Sequence, residues 1–165
     1  MAKRRQAQGW VQVAAIILAA LLLVAAVYGV MEWQKNRPST PVRDVQIEVA
    51  SAGVTLDVEP YTVCELDEEC AGGQPPTMTL DPATVTVTVP REIADGSWRL
   101  LTIYDDPAAN NEIVFTSGEA ATQDVEAVTD SGAKLVVAEV SALAIDKGDD
   151  GEEIPVIATW SIGFE

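Results

Sequence analysis

The sequence predicts an all-β fold, an immunoglobulin-like β-sandwich, preceded by one N-terminal transmembrane helix. Three observations carry this reading. Residues 13–31 (VAAIILAALLLVAAVYGVM) form a run of 19 without a charge. From residue 42 on, apolar side chains recur at every second position in about eight to ten short segments, and turn-forming residues separate these at roughly 8–12-residue intervals, the spacing of sandwich strands. No stretch beyond the run carries a convincing helical period. The chain therefore divides into a basic tip at 1–12, the helix at 13–31, a linker at 32–41 and the sandwich at 42–165.

At a rise of about 1.5 Å per residue the apolar run measures roughly 28 Å, close to the ~30 Å hydrocarbon thickness of a bilayer. Trp10 and Trp33 bracket it and Tyr28 lies near its end. These amphipathic rings are the candidates for the membrane–water interface, and the lipid bilayer is the first expected partner. Lys3, Arg4 and Arg5 precede the run with no acidic neighbour, which holds the tip on the cytoplasmic side of the plasma membrane and places the remainder outside, as a single-pass protein. Lys35, Arg37 and Arg43 beyond the run weaken that bias without reversing it. A cleaved signal peptide is the competing reading, but its apolar stretch is only about 7–15 residues long and ends in a small-x-small site. Here the run leaves through Val27, Tyr28, Gly29, Val30, Met31 and Glu32, with bulky residues where alanine is wanted, so an uncleaved anchor is expected. No cysteine precedes Cys64, so a lipid-modified N-terminal cysteine is not expected.

Asn36 to Pro41 (NRPSTP) stops the helix. Val45, Ile47 and Val49 then alternate with polar residues, as do Val54, Leu56 and Val58, and Ser51, Ala52 and Gly53 between them suit a hairpin loop. Residues 61–64 form a short strand that runs into an acidic loop at 65–69, and Gly72 to Pro76 is irregular. A strand at 77–80 precedes 83–89 (ATVTVTV), which is the cleanest alternation in the chain, with Val85, Val87 and Val89 on one face before Pro90 ends it. Residues 98–104 (WRLLTIY) are apolar on both faces around Leu100, Leu101 and Ile103, as in a central strand covered on both sides. Asp105 to Asn111 is turn chemistry. Strands at 112–116 and 122–128 follow, around a turn at Gly118, and the last third is a hairpin of two long strands, 134–145 and 154–164. In its second strand Ile154, Val156, Ala158, Trp160, Ile162 and Phe164 share a face, and 146–153 (DKGDDGEE) supplies the turn.

Composition removes several functions. From residue 32 on there are 26 acidic and 7 basic residues, a formal charge of −19, so nucleic acids and anionic headgroups are repelled. The chain has no histidine, so it cannot by itself build a Ser/His/Asp triad, a Cys/His pair, a histidine zinc site or a blue-copper site. No cofactor and no catalytic residue is indicated. The two cysteines, Cys64 and Cys70, enclose five residues (CELDEEC), which is neither a redox CxxC nor a zinc knuckle. A structural disulfide between them, which an extracytoplasmic compartment tolerates, is the expected state, and two free thiols are the alternative.

Three acidic groups invite a functional reading. The loop DKGDDGEE could hold calcium, but aligning Gly151 with the invariant glycine of an EF-hand loop puts Gly148 at a ligand position and Ile157 where a bidentate glutamate belongs, so the plain reading is a solvated turn. Glu65, Asp67, Glu68 and Glu69, between the cysteines, could present an acidic knob to a basic partner. Asp105 and Asp106 lie beside the apolar strand as the carboxylates of a glycosidase would, and their plain reading is turn and capping hydrogen bonds.

The segment PYTVCELDEEC, with Cys64 followed by Cys70, and the segment LLTIYDDPAAN, Leu100 to Asn110, resemble a family of uncharacterised membrane-anchored proteins of mycolic-acid-containing actinobacteria, together with the basic tip and single span that precede them. The resemblance covers most of the chain. It implies a topology and an envelope setting and carries over no catalytic residue. The expected function is that of a non-enzymatic accessory or scaffolding protein in the cell envelope, acting through contacts with a membrane or envelope protein. A lipid- or glycan-binding module is the alternative, and a cell-wall hydrolase is a third reading.

Overall fold

The computed structural model describes residues 3–35, 40–66, 70, 72–81, 83–148 and 151–165; side chains within the N-terminal helix are described from Ala15 to Glu32. The chain forms two units, residues 1–39 and 40–165. The first unit holds helix α1, Lys3–Lys35. Its side chains from Ala15 to Glu32 are exposed on every side, and this stretch has a mean hydropathy of 2.4. An apolar surface all round a helix finds no water-compatible face, so the helix is stable either within lipid or within a larger protein core. The helix runs on through Lys35, so residues 32–35, assigned to the linker on sequence grounds, belong to it. Trp10 and Trp33 lie on it with side chains outside the described residues, while Tyr28 is exposed.

The second unit is built of two packed sheets, as alternation of apolar and polar residues along most segments requires. Its strands are β1 (Ile47–Ser51), β2 (Val54–Val58), β3 (Thr62–Glu65), β4 (Thr77–Met78), β5 (Thr84–Thr88), β6 (Trp98–Tyr104), β7 (Asn111–Phe115), β8 (Thr122–Glu126), β9 (Leu135–Lys147) and β10 (Glu153–Phe164). One sheet has the order β2-β1-β5-β8; the other has the order β3-β10-β9-β6-β7, with β4 pairing in parallel with the last residues of β10. The last six strands pair as do strands B, C, C′, E, F and G of an immunoglobulin domain: β5 lies beside β8, β9 between β6 and β10, and β7 beside β6, while β1 takes the place of A beside β5. The immunoglobulin-like sandwich read from the sequence is therefore the fold.

The inner faces meet in one core, with Val49, Val85 and Val87 from the first sheet and Leu100, Val140, Trp160 and Ile162 from the second. Trp98 stacks on Phe115 at 4.1 Å between ring centroids, and its Nε1 donates to the Ala120 carbonyl at 3.0 Å. Trp160 is fully buried, and its Nε1 donates to the Val45 carbonyl at 2.8 Å, fixing the segment that leads into β1. Just before it, a 3₁₀ turn at Val42–Asp44 places Arg43 so that its Nε meets Asp146 Oδ2 at 2.8 Å, and Asp146 is itself buried. The chain thus enters the sandwich at the end where β9 and β10 turn.

Three expectations are corrected. Strand β6 is not covered on both sides: Trp98, Leu100, Thr102 and Tyr104 face the core, whereas Leu101 and Ile103 are half-buried on the outer face of the sheet, because nothing described packs on that side of a two-layer fold. A one-turn helix, α2 (Arg91–Ala94), follows Pro90, which opens it with a preset φ of −71°. Val54, grouped with the core face of β2, is exposed, because it sits at the hairpin tip beyond the reach of the second sheet.

Candidate functional site

Cys64 and Cys70 are joined in a disulfide with Cα atoms 5.7 Å apart, so the alternative of two free thiols is excluded. Strand β3 carries Cys64 along the edge of the second sheet, where it pairs in register with Ile157, and Glu65 pairs with Val156. Glu65 and Leu66 are exposed at the start of the closed loop. Asp67, Glu68 and Glu69 lie outside the described residues.

The outer face beside this disulfide is apolar. Leu143 pairs with Ile157, and Ile145 with Pro155; these four residues point away from the core, while their neighbours Ala142, Asp146, Val156 and Ala158 are buried. Leu143 is 64% exposed, Ile145 59%, Ile157 41% and Leu66 52%, values that set them apart from the core residues beside them. At the hairpin end this face is bounded by the exposed pair Lys147 and Glu153. At the opposite end it is bounded by Ser141 and Thr159, whose hydroxyls meet at 3.4 Å, and by Arg99 across the sheet. Reading the sequence missed this surface. In β9 the inward positions near the hairpin are Ala142, Ala144 and Asp146, and the outward ones Leu143 and Ile145, so the polarity of the strand is inverted there. Asp146 is buried with its carboxylate held by the exposed Arg43, 103 residues away, which is what allows the inversion, and no local pattern announces it. The detectable signal is the run of apolar residues at both parities, ALAI, ending in a lone aspartate.

The remaining acidic candidates are engaged in holding the backbone. Asp105 Oδ1 accepts from the Lys134 amide at 2.8 Å and the Asp105 amide donates to the Lys134 carbonyl at 2.9 Å, clamping the end of β6 to the start of β9. Asp106 caps the 3₁₀ turn Pro107–Ala109 by accepting from the Ala108 amide at 3.0 Å. Asn110 Oδ1 accepts from the Tyr104 amide at 2.8 Å. The polar residues of LLTIYDDPAAN therefore shape a turn. In the hairpin turn after β9 the Gly148 amide donates to the Glu152 carbonyl and the Gly151 amide to the Gly148 carbonyl, both at 2.9 Å; Asp149 and Asp150 lie outside the described residues.

Two buried or bonded groups titrate away from their ordinary values. Burial pushes the Tyr104 phenol up, its hydroxyl donating to the Glu126 carbonyl at 2.9 Å. The Thr116 amide and hydroxyl hold the Glu119 carboxyl below the usual carboxylate range. Both serve the fold, since neither lies beside the apolar face. Two surface grooves accompany them. One of about 280 Å³ is bounded by Ser51, Val54, Leu56 and Met78, and one of about 370 Å³ by Asp57, Tyr61, Gln74 and Pro75. The first is slightly smaller and the second at the low end of the roughly 300–1,000 Å³ range of small-molecule pockets, and both open on solvent beside the core rather than between the sheets.

The chain belongs to the family described as "Protein of unknown function (DUF2771)", whose model matches residues 40–165, the same span as the sandwich unit. It is also 29% identical over 155 residues to uncharacterized proteins of Mycobacterium bovis and Mycobacterium tuberculosis, alignments that cover 89% of this chain and 92% of each relative. Such coverage exceeds the 126 residues of the family match, so the similarity extends into the N-terminal segment. No solved structure matches the chain. The resemblance read on Cys64, Cys70 and Leu100 to Asn110 is thus a family relationship, and it brings no reaction with it.

Proposed function

We propose that this chain is a single-pass membrane protein, anchored by α1 with its N-terminus in the cytoplasm, whose acidic sandwich serves outside the plasma membrane as a non-enzymatic accessory or scaffolding subunit of the cell envelope. The observation that carries the anchor is the unbroken uncharged surface of Ala15 to Met31, exposed on every side of the helix. What supports an accessory role over catalysis is the employment of the carboxylates nearest the core: Asp105, Asp106 and Asp146 each accept a backbone or guanidinium hydrogen bond that the fold needs. A catalytic carboxylate pair requires two groups in unequal environments facing a cleft, and these face the backbone.

Protease treatment of intact spheroplasts tests the topology. Peptides from residues 40–165 are expected to be digested away while peptides from residues 1–12 survive. Digestion of the tip with protection of the sandwich would invert the orientation, and protection of both would place the whole chain inside.

A further inference from the structure

We infer that the free edge of β2, which lines a slot against residues 73–79, accepts an extended segment of another protein that adds to the first sheet as a strand and sets a lysine or arginine beside Asp57. This deepens the accessory reading and rests on it.

Strand β2 is the outermost strand of its sheet. The two-residue turn at Ala52 and Gly53 makes Ser51↔Val54 a hydrogen-bonded pair, and the ladder alternates from there. Val54, Leu56 and Val58 spend their amides and carbonyls on β1, whereas those of Thr55 and Asp57 face outward. Among the described residues no other backbone group meets them. Natural edges are blunted by lysine, proline or a bulge, and VTLDV has none of the three.

The opposite wall is fixed in place. The Gly163 amide donates to the Pro76 carbonyl at 2.9 Å and the Glu165 amide to the Met78 carbonyl at 3.1 Å, which ties this segment to the end of β10. The Ser51 hydroxyl donates to the Thr79 carbonyl at 3.2 Å and fastens it beside the β1–β2 turn. The two grooves share these walls in succession. The one of about 280 Å³ lies between Val54 and Leu56 on one side and Met78 on the other; the one of about 370 Å³ lies between Asp57 and Glu59 on one side and Gln74 and Pro75 on the other. An unpaired edge beside an apolar groove and an acidic one suits strand addition, in which main-chain bonds supply affinity and alternate side chains fill pockets. Because both walls are preformed, little ordering entropy is lost on binding.

Charge names the residue beside Asp57. Its partner on β1 is Glu48, in a pair without hydrogen bonds, where facing side chains come closest, so two like charges oppose each other. Glu59 follows two positions on, and none of the three forms an ion pair among the described residues. A cation on the added strand relieves that repulsion, whereas a second copy of this chain would bring further carboxylates to it.

The test uses the purified full chain in phosphatidylcholine nanodiscs, with a synthetic heptapeptide of alternating valine and lysine as the probe. The controls are its valine–glutamate counterpart and the valine–lysine peptide N-methylated at every amide, which cannot complete a ladder. The probe is expected to bind and to slow hydrogen exchange over residues 54–59, with no change over the other edge strand at 111–115. Asp57→Lys is expected to weaken binding about tenfold. Thr55→Pro, which removes an outward amide and spares the β1 ladder, is expected to abolish it, with far-UV circular dichroism verifying the fold of both variants. No binding, equal binding of either control peptide, protection at 111–115 in place of 54–59, or binding indifferent to Asp57→Lys would overturn the inference. Protection of 54–59 that rises with protein concentration alone would do the same, by making a second copy the occupant. None of these results touches the accessory reading, whose topology the spheroplast experiment decides separately.

Discussion

Ala52 adopts φ +55° and Gly53 φ +73°, the left-handed pair that a two-residue hairpin between Ser51 and Val54 needs. Alanine in that region is strained by roughly 1–2 kcal/mol, whereas asparagine enters it readily. Ala52→Asn is expected to stabilise the sandwich by about 1 kcal/mol and raise its melting temperature by a few degrees, read from far-UV circular dichroism; an unchanged midpoint would count against this turn. Tyr104 gives a second test at this scale. Its phenol is pushed up in the folded state, so the unfolded chain ionises first: the stability it adds is whole below about pH 10, the unfolded value, and is lost as pH rises through the higher folded one. Tyr104→Phe should flatten the alkaline limb of a denaturation profile and cost about 1 kcal/mol at neutral pH through the bond lost to Glu126. Glu119 works in the opposite sense, its share being present above the ordinary carboxylate value and lost as pH falls through the depressed folded one. Denaturation midpoints of Glu119→Gln should therefore vary less across the acid range than those of the native chain.

At the scale of elements, the β9–β10 hairpin is the spine of the second sheet, and the lead into β1 is fastened to it by Arg43–Asp146 and by Trp160–Val45. Arg43→Met leaves the buried Asp146 carboxylate, among the described residues, with the Lys147 amide at Oδ1, and is expected to cost about 1–3 kcal/mol in chemical denaturation. Reducing Cys64–Cys70, which closes a loop of seven residues, is expected to cost about 2 kcal/mol, mainly by freeing the unfolded chain. These elements also show what could be read in advance. Strand β5 was legible because its valines face the core and its threonines do not, and β10 because Ile154 to Phe164 keep one parity. Strand β6 misled because Leu101 and Ile103 are apolar on an open face, and α2 went unseen because four residues offer no period. The apolar outer face of β9 and β10 was hidden for a related reason: its position depends on Asp146 turning inward, and the residue that permits this is Arg43, more than a hundred residues away.

For the whole molecule, the sequence divides chemistry between its two units. The 18 residues from Ala15 to Glu32 are exposed and, but for Glu32 at the end, uncharged, while the sandwich concentrates negative charge on its surface and keeps one apolar face. A chain so divided suits two solvents at once, lipid for the helix and water for the domain. The disulfide agrees with a domain held outside the reducing cytoplasm. All of this depends on the helix remaining attached. Peptide mass spectrometry of washed membranes after alkaline carbonate extraction tests that claim most directly: peptides from residues 1–12 should remain in the pellet together with those of the sandwich, and recovery of the sandwich in the soluble fraction, with a new N-terminus near residue 30, would contradict it.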